Sequence, residues 1–482
     1  MRDDSERERR QADRGIFHLI FFFSLLFFVL IGYMIYFIGW QAPGLMGNPY
    51  NARMEVFDNR ILRGAILSSD GQTLAVTERG EDGTETRRYP FGALFAHAVG
   101  YTAKGKTGLE SAANFYLMES HTNPMQQILN ELTEQKSLGD NVVTTLHAGL
   151  QQAAAEALGE RRGAVICMEP KSGRILAMVS SPGFDPNTIS AEWESLVSEE
   201  NRSGNLINRT TQGLYPPGST FKTVMALEYL REHPADYADF RYSCDGSFRS
   251  PEDPAAEIHC YGGERHGEVD LGRAYALSCN TAFAKLGTEI DRKQLLTLTE
   301  SLGFNQDQTL PIAANRSRFR LTEEDSSWTL MQTAIGQGQT LMTPLHNLLL
   351  TAAIANDGAL VQPRLLERVE TADGTVVKRF SAGSEKRLMR AEEAEVLRGF
   401  MRSVVSEGTA SKLRTEAYAA AGKTGSAEYT EDGVTKTDAW FTGFAPLEEP
   451  VLAVTVLVED GETGGRTAVP IARKVFDYWL LS

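Results

Sequence analysis

"YPPGSTFKTVMALEYL", residues 215–230, decides how the rest of the chain is read. Pro216, Pro217 and Gly218 forbid a helix, and an apolar run then begins at once. Ser219 sits at the break and Lys222 follows three residues later. In a helix starting at Ser219, positions i and i+3 share a face, so Lys222 lies beside the hydroxyl. Phe221, Val224, Met225, Ala226, Leu227 and Leu230 make that helix apolar nearly all round, the pattern of a buried helix. Burial strips water from an ammonium, lowers its pKa and lets a neutral lysine act as a base. A serine hydroxyl, otherwise a weak nucleophile, needs such a base. The helix start also offers N–H groups to a developing oxyanion. The plainer reading is a helix cap, because serine is a favoured N-cap and S-x-x-K arises readily by chance. Taken alone, the motif favours the cap.

Two further motifs shift the balance. Ser278-Cys279-Asn280 supplies a second hydroxyl, able to relay a proton to a leaving amine, and an amide able to orient substrate and lysine. Lys423-Thr424-Gly425 opens an expected strand. A lysine there supplies positive potential for a substrate carboxylate, and Gly425 lets substrate approach the strand closely. Decoys exist. Ser203-Gly204-Asn205 precedes the serine helix, and Lys106-Thr107-Gly108 has no strand after it. Only Ser219–Lys222 matches S-x-x-K, and order, spacing and context make the triple set specific.

The chain has 482 residues, too many for one ordinary domain, with 42% hydrophobic and 23% charged residues. A formal charge of −15 leaves no basic stripe, which argues against nucleic acid as a partner. Residues 1–15 are highly charged and read as a cytoplasmic tail, while residues 16–38 contain no Asp, Glu, Lys or Arg. As a helix the latter span about 35 Å, enough to cross a bilayer. The run is too long for a signal peptide, and "GWQAPG" is a poor cleavage site. Arg2, Arg7, Arg9, Arg10 and Arg14 precede the span and only Arg53 follows closely. An uncleaved anchor with everything after residue 40 exported is therefore expected. His18, near the span's start, reads as snorkelling to the interface.

All four cysteines fall in the exported part. Cys244 and Cys260 lie in a Gly-, Pro- and Ser-rich segment, and an oxidising compartment permits a disulfide between them. Cys244, His259, Cys260 and His266 also suggest zinc, but their spacing fits no standard pattern, so no metal is expected. Cys167 reads as a buried strand residue, and Cys279 as a free thiol.

Residues 41–150 read as a small domain of hairpins, with "RGAILSSDGQTLAVTE" (63–78) as two strands around a Ser-Asp-Gly turn. "GAVICMEPKSGRILAMVS" (163–180) reads as two buried strands joined at Lys171-Ser172-Gly173. "TDAWFTGFAP" (437–446) and "VLAVTVLVE" (451–459) read as neighbours in one sheet, and Val469, Ala472, Val475, Phe476 and Trp479 follow at helical spacing. Residues 151–482 are thus expected as an α+β domain: one sheet closed by both ends of the segment, with a helical subdomain inserted.

The three motifs, together with "RGAILSSDGQTLA", "GLESAANFYL", "LINRTTQGLYPPGSTFK" and "AGKTGSAEY", resemble the penicillin-binding proteins, specifically the monofunctional class B transpeptidases. The likeness covers nearly the whole chain. It implies a penicillin-binding/serine β-lactamase-like transpeptidase domain, with an antiparallel sheet flanked by helices. A small β-rich N-terminal pedestal and one transmembrane helix precede it. It further implies a cofactor-free serine acyltransferase acting on stem peptides ending in D-Ala-D-Ala and acylated by β-lactams. By the same resemblance Ser219 is the nucleophile, Lys222 its base, and Ser278 and Asn280 complete the proton and orientation network. Lys423, Thr424 and Ser426 bind the substrate carboxylate, and the backbone N–H groups of Ser219 and Ser426 form the oxyanion hole. The family often has Thr where Ser426 stands. Residues 41–150 are too few for a glycosyltransferase domain, so the resemblance implies a polytopic glycan polymerase as partner. The alternatives are a D,D-carboxypeptidase, a membrane-anchored serine β-lactamase and a non-catalytic β-lactam sensor.

Overall fold

The computed structural model describes residues 2–37 and 61–482, apart from residues 124, 126–128, 131, 134, 199, 323 and 432. Residue 38 of the expected anchor, the "GWQAPG" stretch, Arg53 and residues 41–60 of the expected pedestal lie outside the described residues. Helix α1, Arg2–Tyr36, contains the apolar stretch Ile16–Tyr36, 21 residues whose large side chains are exposed. Among the described residues no other helix is long and apolar enough to cross a membrane.

The pedestal hairpin forms as expected. β1 (Ile66–Leu67) and β2 (Thr73–Arg79) are antiparallel, with Ile66 opposite Ala75. β3 (Glu85–Arg88) continues from β2, and β4 (Asn141–Thr144) runs parallel to β1 on its other side. The sheet does not end there. The hairpin Leu366–Glu370 and Val376–Arg379 adds two more strands beyond β4, with Val369 opposite Val142. The boundary expected at residue 150 is therefore crossed. The hairpin has its own turn, Asp373-Gly374, and can leave the second region as a unit to cover an open edge.

Beyond α2 (Ala148–Leu158), β5 (Gly163–Met168) and β6 (Ile175–Ser181) are joined as the sequence indicated. Helices α3 (Lys222–Glu232), α4 (Leu271–Ala276), α5 (Asn280–Glu289) and α6 (Pro344–Ala355) follow. The chain then returns through β7 (Ala421–Glu431), β8 (Val434–Ala445), β9 (Leu452–Val458) and helix α7 (Val469–Leu481). The five strands form one antiparallel sheet in the order β7-β8-β9-β5-β6, closed where Val454 faces Cys167. β5 and β9 are buried at every residue because both faces of the sheet are covered, α6 on one and α2 and α7 on the other. Val469, Ala472, Val475 and Phe476 bury one face of α7, and Trp479 packs edge-on against His147 at 5.2 Å. Cys167 is fully buried, as expected. The decoys are placed harmlessly: Lys106-Thr107-Gly108 runs into the short helix Gly108–Ala112, and the Asn205 amide donates to the Gly183 carbonyl at 2.7 Å. Among the described residues no strand pairs with the outer edge of β7.

Candidate active site

The nucleophile turn is narrower than the sequence suggested. Gly218–Phe221 form a 3-10 turn, and the α-helix begins at Lys222, not at Ser219. The capping positions are Pro217 and Phe221, so Ser219 caps neither element. Gly218 has φ +53°, the left-handed region that favours glycine, and a Cβ there would stand 2.9 Å from the Ser426 carbonyl. The turn is braced from β8 by fully buried Trp440, whose indole N–H donates to the Pro216 carbonyl at 3.0 Å. The Trp440 ring meets Tyr215 edge-on at 6.1 Å.

Lys222, fully buried, donates from Nζ to the Ser278 carbonyl (2.7 Å), to Asn280 Oδ1 (2.8 Å) and to Ser278 Oγ (3.3 Å). Lys423, also fully buried, donates to Ser278 Oγ (3.0 Å) and to the Thr424 carbonyl (3.0 Å). One hydroxyl thus stands between two buried amines. Ser278 is held at φ +56°, a strained setting for a non-glycine residue. Asn280, at the start of α5, is aimed by its own Nδ2 bond to the His259 carbonyl at 3.1 Å. Burial pushes Lys222 down to about 8, opposed by the Cys279 and Cys260 thiols. Lys423 falls well below its ordinary value, first through burial and then through repulsion from Lys222. Lys222 shifts in the expected direction. A value near 8 nevertheless leaves Lys222 mostly protonated at pH 7.

β7 closes the site. A Cβ on Gly425 would lie 2.9 Å from the Pro217 carbonyl, so strand and nucleophile turn touch where only glycine fits. The Thr424 hydroxyl is 2.5 Å from the Thr409 hydroxyl, and Ser426 Oγ accepts from the Gly464 N–H at 3.2 Å. Sequence reasoning did not find Thr409 or Gly464, since neither lies in a motif whose spacing carries chemistry.

The expectation of a disulfide needs correcting. Cys244 and Cys260 are adjacent, with sulfurs 3.7 Å apart, but all four cysteines are free thiols. A disulfide would need about 2.05 Å. Cys279 is a free thiol, as expected, and its sulfur lies 3.8 Å from that of Cys260. His266 Nδ1 is 3.4 Å from the Cys244 sulfur and 3.6 Å from that of Cys260. The donor atoms of Cys244, Cys260, His266 and Cys279 all lie within 4.8 Å of one another. Three thiols and an imidazole are a donor set for structural Zn²⁺. The spacing argument did not bring these four donors together because one of them, Cys279, lies inside the S-x-N motif. His259 is exposed and takes no part.

Comparisons with known proteins point to one family. The family model for the penicillin binding protein transpeptidase domain matches residues 163–477, and that for the penicillin binding protein A dimerisation domain matches residues 63–142. The peptidoglycan D,D-transpeptidase PbpA of Mycolicibacterium smegmatis is 32% identical over 90% of this chain and 92% of its own. The peptidoglycan D,D-transpeptidase MrdA of Acinetobacter baumannii is 30% identical over 82% of this chain and 66% of its own. Among solved structures, penicillin-binding protein A of M. tuberculosis as a ceftriaxone acyl-enzyme complex matches with a TM-score of 0.80 at 29% identity. That match covers 89% of this chain and 100% of the other. A chain with the three motifs in one buried site, matched by both families over most of its length, belongs to the class B penicillin-binding proteins.

Proposed function

We propose that this protein is a membrane-anchored peptidoglycan D,D-transpeptidase that works through an acyl-enzyme on Ser219. The observation that carries the reading is the Ser278 hydroxyl, which lies within 3.3 Å of the Nζ of Lys222, the lysine one turn after Ser219, and 3.0 Å from Lys423 Nζ. Ser219 Oγ attacks the carbonyl of the penultimate D-Ala, and its proton passes to the neutral amine of Lys222. The oxyanion is received by the N–H groups of Ser219 and Ser426. The peptide C–N bond then breaks, and the leaving D-Ala nitrogen takes a proton through Ser278. An amine of a second stem peptide attacks the ester, gives up a proton to the same network and restores Ser219. Lys423, Thr424 and Ser426 hold the terminal carboxylate, the two hydroxyls turning from Thr409 and Gly464 toward substrate. A β-lactam enters the same first step and leaves its opened ring on Ser219.

The names of the relatives favour transpeptidation over hydrolysis. A carboxypeptidase or β-lactamase would pass the acyl group to water instead. The N-terminal arginines favour a cytoplasmic tail and an external catalytic domain. A polytopic glycan polymerase supplies the strands to be joined. Two measurements test the reading. Mass spectrometry after penicillin treatment should find one adduct on Ser219, lost in Ser219→Ala. A thioester stem analogue at millimolar acceptor amine should partition to the amine. Full labelling of Ser219→Ala would overturn the nucleophile, and dominant hydrolysis would make the protein a carboxypeptidase.

A further inference from the structure

We infer that Gln337 is a positioning residue whose amide caps the free edge of β7 and sets where the Ser426 N–H stands relative to the nucleophile. Gln337 lies between Gly336 and Gly338, both in the left-handed region, at φ +78° and +76°. The loop has one foot on the nucleophile turn. The Gly218 N–H, immediately before Ser219, donates to the Gly336 carbonyl at 2.8 Å, and a Cβ on Gly336 would stand 1.8 Å from the Gly218 oxygen. Its other foot is on β7. In the orientation that satisfies both amide atoms, the Gln337 nitrogen donates to the Glu428 carbonyl at 3.2 Å and its oxygen accepts from the Glu428 N–H at 3.1 Å. That is the pair of bonds a neighbouring strand would make.

The consequence follows from strand geometry. Residues two apart on a strand send their N–H and C=O groups to the same side. Glu428 bonds outward to Gln337, so the Ser426 N–H points outward as well, toward the turn that carries Ser219. Two oxyanion donors on separate elements are useful only at a fixed separation. The loop 336–338 bridges those elements, with Gln337 as its side-chain contact to the strand. Nothing else among the described residues pairs with that edge of β7.

This inference rests on Ser219 as nucleophile, so its test is kept separate from that reading. Full-length Gln337→Ala and Gln337→Glu are compared with wild type by stopped-flow reaction with a fluorescent penicillin. The Gln337→Glu carboxylate keeps the shape but cannot donate to the Glu428 carbonyl. Losing one oxyanion donor outright costs about 10²–10³ in rate, so displacing one while the other stays should cost about tenfold. Both half-reactions use the same hole. Acylation at saturation and release of the adduct should therefore slow together, with the dissociation constant of the initial complex within about twofold of wild type. Rate constants are read on the reacting fraction, so a variant that folds poorly still reports. The inference is overturned if wild type is labelled on Ser219 and both variants keep both rate constants within about twofold. It is equally overturned if only the reacting fraction falls or only initial binding weakens. Failure of wild type to label at Ser219 would instead overturn the proposed function.

Discussion

Raising the pH from 7 to 9 should speed acylation of Ser219 about tenfold. With Lys222 near 8 instead of 10.5, roughly one molecule in eleven carries the neutral amine at pH 7 and roughly ten in eleven at pH 9. The logarithm of the acylation rate should rise with unit slope below pH 8 and flatten above it. The same burial has a stability signature whose sign is fixed. Below pH 8 the lysine is protonated in both folded and unfolded chains, and the fold bears the full cost of enclosing an ammonium. Between about pH 8 and 10.5 the unfolded chain binds more protons than the folded one, so stability climbs with pH. A gap of this size corresponds to about 3 kcal/mol. Lys423 adds to the climb in the same direction, so the Lys222 share is read as wild type minus Lys222→Met in denaturant titrations at pH 7.5 and 10. Stopped-flow acylation over pH 6–9 supplies the kinetic half. Lys222→Arg keeps the charge but cannot deprotonate, and its acylation should collapse. A flat profile, or a Lys222→Arg variant within about threefold of wild type, would refute the assignment of Lys222 as base.

Ser278→Ala removes the hydroxyl shared by the two amines, and turnover of a thioester donor should fall further than its acylation step; equal losses would count against the relay. The Cys244–Cys260–His266–Cys279 cluster should bring about one zinc per chain through purification under reducing conditions, measured by elemental analysis. Chelation should lower Tm, while a metal-free protein with unchanged Tm would leave the cluster as thiols only. Trp440→Phe deletes the bond to the Pro216 carbonyl and should cost about 1 kcal/mol of stability together with slower acylation; unchanged kinetics would show that the brace does not position the turn.

What could be read in the sequence was what is carried by short spacing. Ser219 and Lys222 are one turn apart, β5 and β6 announce themselves as apolar runs around a Lys-Ser-Gly turn, and α7 shows its buried face at helical period. Features made by chain crossings were not legible. Cys279 joins Cys244, Cys260 and His266 only because α5 begins beside the short strands that end at or flank them. Thr409 meets Thr424, and Gln337 meets Glu428, across loops that local pattern does not connect. The strand residue Leu366, read as part of the later region, pairs instead with Thr144.

That last pairing constrains how the chain can mature. Synthesis runs from the N-terminus, so β1–β4 emerge long before their last two partners. More than two hundred residues separate Thr144 from Leu366. Until Leu366–Glu370 arrives, β4 presents bare N–H and C=O groups to any extended segment nearby. The closing contact is remote in sequence and therefore slow to form. The pedestal and the catalytic region accordingly become native together, and a chain interrupted anywhere between them leaves an adhesive edge rather than a finished half.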